Sequence, residues 1–304
     1  MRSGERQAKP AAKLSIIDAL SAGLALVPRV PRALIMPVLL DLFYWLGPRL
    51  SVEPILQSVI GWSREVASSA STTDTESLEV MENMLRVIGS EMNLFSVLSS
   101  SLTGVPTLTG IVSSPSTGLR SSLPQFELHT GLAFFAALVG LTILGWLLGS
   151  GFLVLIAERV LAVKWNLPGL LRRIGLTWLS VIGLGGLLFV ATIFFGVPIL
   201  ILIVLVGLMS RELASILFGL VWTIVIWVAI HLIFAVDAIV LNGVNPVRGM
   251  WHSFNVVRRN FWSSLGLILV IGILSAGLAV IWQALAVNPI GTLIGIVGNT
   301  IIGT

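Results

Sequence analysis

Long runs of apolar residues dominate the chain, and the polar positions fall between these runs instead of alternating within them. A transmembrane helix needs about 20 consecutive apolar residues, and the pattern offers spans at 30–47, 130–157, 175–209, 213–241, 262–286 and 289–304. The run 175–209 is too long for one upright span and too short for two, and Gly196-Val197-Pro198 interrupts it. Read as one helix kinked or tilted at Pro198, it leaves the N-terminus, the loop 158–173 and the segment 242–260 on one side. That side then gathers Arg159, Lys164, Arg172, Arg173, Arg248, Arg258 and Arg259, as the positive-inside rule asks. Splitting the run in two would carry the last three arginines across the membrane. The pattern therefore predicts five full spans and a short sixth, residues 289–304.

The polar stretch 48–129 falls on the other side. Its first part predicts helices, because Ile55, Leu56, Val59 and Ile60, and later Leu78, Met81, Leu85, Ile88, Met92 and Phe95, recur at three and four. Thr73 and Glu76 fit a capping box for the second helix. Residues 99–122 hold twelve Ser or Thr together with Gly104, Pro106, Pro115 and Gly118, which predicts loop. The expected role of that loop is a solvated spacer over the membrane surface.

Three stretches predict amphipathic helices lying in the interface. In 246–260, Val247, Met250, Trp251, Phe254 and Val257 share a face that continues to Phe261, opposite Arg248, His252, Asn255 and Arg259, with Asn245 as N-cap and Pro246 at N1. Leu14 to Val27, with Ile16, Ile17, Leu20 and Leu24, predicts a second, and residues 166–174 a shorter third. Asn, Pro, Arg-Arg and a Trp-bearing span recur at 166–178 and 245–262, as in a degenerate internal repeat. Tyr44, Trp45 and Trp282 suit one aromatic belt, and Trp165, Trp178, Trp251 and Trp262 the other. Gly145 and Gly149 form a GxxxG, and Gly183, Gly185 and Gly186 crowd the third span; both predict close helix contacts.

Composition agrees with this pattern. The 304 residues are 56% hydrophobic and 11% charged, against about a quarter charged in a soluble domain, which excludes a soluble globular class. The net charge of +4 is distributed by position. Arg2, Arg6, Lys9, Lys13, Arg29 and Arg32 face only Glu5 and Asp18 in the first 32 residues, whereas 48–129 holds four Arg against eight acids. These cations flank spans and form no stripe with stacking aromatics, so nucleic acid is excluded as a partner. The chain has no Cys, which rules out disulfides and thiolate chemistry. Residues 1–27 carry a basic start and an apolar run like a signal peptide, but Asp18 and the lack of a small-residue cleavage site argue against one.

Charged or ionisable groups inside spans are costly and mark candidate sites. Counting about 1.5 Å per residue from the basic side puts Asp41 about 13 Å and His231 about 15 Å deep, so they form a candidate intramembrane polar pair. Asp237 lies about 6 Å deep by the same count and forms a candidate structural ion pair with Arg159, near Glu158. Arg172, Arg173, Arg248, Arg258 and Arg259 are the expected interfacial cations. The motifs H-E-x-x-H, G-x-x-x-x-G-K-[ST], G-x-G-x-x-G and G-x-S-x-G are absent, and His129, His231 and His252 lie far apart in sequence. No catalytic residue, metal ligand or cofactor site is therefore assigned.

The residues Phe234-Ala235-Val236-Asp237-Ala238-Ile239-Val240-Leu241, then Gly243 and Pro246, then Trp251-His252-Ser253-Phe254 and Arg258-Arg259-Asn260-Phe261-Trp262, together with 37–42 and 45–48, carry a resemblance. In these the chain resembles six-span bacterial integral membrane proteins of uncharacterised activity, similar in pattern to the membrane domain of glycerophosphodiester phosphodiesterase-like proteins. The resemblance covers about half of the chain and implies architecture only. The phosphodiesterase catalytic domain has no counterpart, so no hydrolytic residue carries over.

The resulting expectation is an all-α polytopic bundle in a bacterial inner membrane. Residues 1–29 form a cytoplasmic N-terminus with an interfacial helix, 30–47 the first span, 48–129 an external segment and 130–304 the rest of the bundle. Its expected role is that of a non-enzymatic accessory or scaffold component, with membrane lipids and other membrane subunits as partners. The rival is a transporter or channel for a small solute, ion or lipid using Asp41 and His231. An intramembrane enzyme would need a nucleophile and base within hydrogen-bond reach.

Overall fold

The computed structural model describes residues 16–69, 75–99, 102–108, 124–163 and 166–303. Twelve α-helices are defined among them: α1 Ile16–Leu26, α2 Pro31–Leu46, α3 Glu53–Ser69, α4 Thr75–Glu91, α5 Gly131–Val160, α6 Leu167–Ala191, α7 Val197–Met209, α8 Arg211–Leu232, α9 Ala235–Asn242, α10 Pro246–Arg259, α11 Phe261–Leu285 and α12 Pro289–Gly303. The protein is an all-α, multi-pass membrane bundle.

Four helical units are long and apolar enough to cross a membrane: α5, α6 with α7, α8 with α9, and the stretch Phe261–Trp282 of α11. The expected first span is shorter than its sequence suggested. α2 has 16 residues, about 24 Å against a hydrocarbon core of about 30 Å. It makes a fifth span only together with α1, from which it turns by 86° at Pro28 and Pro31. That corner agrees with α1 as a helix lying across the axis of α2. The last helix, α12, has 15 residues and is likewise short.

The run 167–209 is one helical unit of 43 residues. Its irregularity is a π-helical turn at Thr192–Gly196, immediately before Pro198, where the missing proline N–H breaks the regular ladder. The expected interfacial helix at 166–174 is not separate: Asn166 caps α6 and the segment forms its first turns. Asn245 caps α10 in the same way, yet α10 ends at Arg259 before α11 begins. The two stretches of the expected repeat thus share a cap and not the fold that follows.

Helices in lipid gain little from apolar burial against one another, so close packing and internal satisfaction of polar groups hold them. One core unites α5, α6 and α9 through Val154, Ala157, Val181, Leu184, Ala235, Val236, Ile239 and Val240. Gly185 seats the Trp146 ring of α5, and Gly183 seats Pro246 at the start of α10, the close contacts expected of that glycine cluster. A second core joins Val30, Ala33, Leu40 and Tyr44 to Phe152 of α5 and to Leu98 and Val105. Tyr44 is thus a core residue and not a belt anchor, whereas Trp251 and Trp262 are well exposed. Trp165 lies outside the described residues, as does the expected cap at Thr73.

Two three-residue strands, β1 Arg49–Ser51 and β2 Gln125–Glu127, pair in parallel. They close the base of the α3–α4 hairpin, and neither was anticipated from periodicity.

Candidate functional site

The most consequential site is built where α2, α5, α12 and the segment after α4 meet. Downstream of α4 the chain makes a 3₁₀ turn, Leu94–Leu98, and then enters the bundle. Leu94, Leu98, Ser99, Thr103, Val105, Thr107 and Leu108 are all buried. This corrects the expectation of a solvated spacer for the described part of 99–122; residues 100–101 and 109–123 lie outside the described residues.

Gly145 and Gly149 receive this segment. A Cβ at Gly145 would come within 2.7 Å of the Leu98 carbonyl oxygen, and one at Gly149 would collide with the Thr103 side chain. The GxxxG therefore admits a non-helical chain segment, not a second helix. Gly149 lies 18 residues into α5, about 27 Å along its axis, so the segment penetrates deeply. On the opposite wall, Gly295 meets Leu108, and a Cβ at Gly303 would come within 2.5 Å of the Pro106 Cβ.

Asp41 sits at this junction and is fully buried. Both of its carboxylate oxygens accept from the Leu108 N–H, at 2.9 and 3.0 Å. Non-helical backbone at membrane depth needs such internal partners, because lipid supplies none. Nearby, the Thr107 hydroxyl donates to Ser99 Oγ at 2.9 Å. Ser150, Thr292 and Thr300 add further buried hydroxyls on α5 and α12.

His231 is served elsewhere. Its Nδ1 lies 2.8 Å from the Trp227 carbonyl, and its ring packs with Trp227, Phe254 and Phe261 at centroid distances of 4.0, 5.2 and 6.0 Å. No hydrogen bond or ion pair joins it to Asp41. Matched depth fixes only one coordinate, and helix rotation decides the rest: α2 offers Asp41 to the buried segment, while α8 offers His231 to α10. The break after α8 is repaired by Ser253, whose hydroxyl donates to the His231 carbonyl at 2.7 Å and accepts from the Phe234 N–H at 3.2 Å.

The Arg159–Asp237 ion pair also does not form. α9 turns Ala235, Val236, Ile239 and Val240 inward, which leaves Asp237 on the outer face. Arg159 is exposed at the end of α5. Arg173 instead donates to the Val240 carbonyl at 2.6 Å and lies against Gly243, whose φ of +63° ends α9 in the left-handed region. A cation at a helix C-terminus satisfies its orphan carbonyls and its dipole. Arg172, Arg248, Arg258 and Arg259 are exposed, in keeping with an interfacial role. α10 buries the stripe Gly249, Ser253 and Val257, not the whole apolar face read from the sequence. Trp251 and Val247 remain outside.

The α3–α4 hairpin is clamped at its base. Arg49 of β1 donates to the Ser90 and Glu91 carbonyls at 3.1 and 3.2 Å, capping α4. Asn93 Oδ1 accepts from Leu50 N–H at 3.0 Å and Phe95 N–H at 3.2 Å. Further out, Arg64 forms a two-pronged ion pair with Glu82, and its hydrogen bonds hold the Glu82 carboxyl below the usual range. Trp62, Met84 and Val87 of the hairpin are each more than 60% exposed.

Among the described residues, no three His, Asp or Glu side chains gather into a metal-binding group. Sequence reading missed Leu108, Arg49 and Ser253, whose roles depend on long-range contacts with no local signal. Compared with protein-family models, curated proteins and solved structures, the chain matches none.

Proposed function

We propose that the chain is an accessory or scaffold component of a bacterial inner membrane, with its N-terminus cytoplasmic and the α3–α4 hairpin external. The observation that carries this reading is the way the hairpin is rooted. Its entry is clamped by Arg49, and its exit runs into the bundle to the Asp41–Leu108 contact. A tether would need neither. Such rooting presents Trp62, Met84 and Val87 at a fixed height and angle to a neighbouring membrane subunit. The transporter reading asks for an accessible carboxylate at Asp41, and that carboxylate is sealed and engaged by the chain's own backbone. The distribution of Arg159, Arg172, Arg248, Arg258 and Arg259 supports the orientation.

The test is purification from native membranes in mild detergent, followed by native mass spectrometry. The scaffold reading predicts a stoichiometric complex that Trp62→Ser combined with Met84→Ser dissociates without unfolding the bundle. A lone protomer whose Asp41→Asn form alters solute flux in vesicles would overturn it in favour of transport.

A further inference from the structure

Between α6–α7 and α8–α9 runs an apolar groove of about 720 Å³. The long helix creates one wall through its π-helical turn, Thr192–Gly196, flanked by Ala191. The other wall is α8, where Ala229 presents only a methyl group among Val221, Ile224, Val225, Val228 and Leu232. Leu184, Ala235 and Val236 form a buried floor, and Phe195 stands exposed at the edge. Thr192 brings the one polar side chain in the lining, and its hydroxyl is spent on the Leu188 carbonyl at 2.9 Å.

A groove whose one polar side chain is already spent offers water few partners, and if empty its lining forfeits dispersion contacts. The occupant must be apolar and must come from the medium around these helices. Both walls belong to membrane-spanning units, so that medium is lipid hydrocarbon. From Leu184 to Ile199 the groove runs about 22 Å along the helix, enough to follow a chain through one leaflet of a core about 30 Å thick. A straight helix pair would leave a shallow seam for passing lipid, whereas here the π-helical turn and the alanines hollow out a site of fixed shape.

We propose that this groove holds one acyl chain of a bilayer phospholipid in a defined position, in preference to the exposed helix faces. Leu102, from the segment rooted at Asp41, also lines the groove. The lipid chain therefore touches that segment six residues before Leu108. This inference stands apart from the scaffold reading, since a transporter could hold the same lipid.

The test reconstitutes the full chain in bilayers containing a phosphatidylglycerol with a photoreactive diazirine midway along one acyl chain. Adducts are then mapped by peptide mass spectrometry. The expected result is labelling concentrated at Leu102, Phe195 and Val225, well above that at Leu200 and Leu205 on the exposed face of α7. In Ala229→Phe and Gly196→Leu, groove adducts fall about tenfold, equivalent to roughly 1.4 kcal/mol. A Cβ at Gly196 makes only ordinary contact with Thr192, so the second variant folds if the first does not. Labelling spread evenly over the exposed faces overturns the proposal. So does a groove left unlabelled because a second copy covers it, which cross-linked dimers would reveal.

Discussion

Both carboxylate oxygens of Asp41 accept the backbone N–H of Leu108, 67 residues further along the chain. One buried acid on a short helix thereby anchors residues 102–108 beside α2.

Replacing Asp41 with Ala strands the Leu108 N–H in a buried, lipid-surrounded site. The expected loss of stability is about 2 kcal/mol, the cost of leaving a buried donor unsatisfied. Asp41→Asn keeps one acceptor oxygen and loses less. Thermal unfolding in detergent ranks the three proteins, and an Asp41→Ala melting curve identical to wild type would refute the assignment.

Gly149→Ala forces a methyl group into the Thr103 side chain, and overpacking of this kind costs about 1–3 kcal/mol. Gly140→Ala, with open space around its Cβ, is nearly neutral. Thr103→Gly relieves the Gly149→Ala defect, so the double-variant cycle is non-additive. Additive effects would mean that the two residues do not touch.

Ser253→Ala removes the hydroxyl that serves both the His231 carbonyl and the Phe234 N–H. The expected cost is about 1–3 kcal/mol, with faster amide exchange confined to the α8–α9 break. Exchange unchanged at Phe234 would show that another group satisfies it.

Glu82 carries the pH dependence of the α3–α4 hairpin. Its folded-state carboxyl is held below the ordinary value of about 4.3, first by hydrogen bonds from Arg64 and then by the charges of Arg64 and Arg86. That stabilisation is complete above the unfolded value and is lost as pH falls through the depressed folded one. Amide protection in α3 and α4, corrected for the intrinsic pH dependence of exchange, should therefore stay constant from neutral pH to about 5 and fall below about 4. The fall is small because the pair is exposed. Glu82→Gln should remove this acid-side dependence.

Much of the helical layout was legible because its signals are local. Asn245 with Pro246 predicted the start of α10 and forms its cap. The length of 175–209, with Pro198 inside it, predicted one kinked span, and the structure extends that unit back to Leu167. The Asp41 site was half legible: the cost of a charge among apolar neighbours singled out the residue, but depth alone suggested the wrong partner in His231. A partner that the structure shows is a backbone N–H, which every residue but proline carries and no sequence pattern marks. Gly149 signalled a close approach without saying that a loop makes it. Residues 102–108 read as solvated because Ser, Thr, Gly and Pro suit water-exposed turns, and equally suit a chain that satisfies its polar groups inside a bundle.

The rooting of residues 102–108 in the bundle is tested most directly by chemical accessibility, for which a chain without Cys is already suited. Single cysteines replace Val105, 4% exposed, and Trp62, 65% exposed, and both are treated with a membrane-impermeant maleimide. The account predicts rapid labelling at position 62 and protection at 105, with protection lost when Asp41→Ala is added. Labelling at 105 as fast as at 62 in the presence of Asp41 would contradict it.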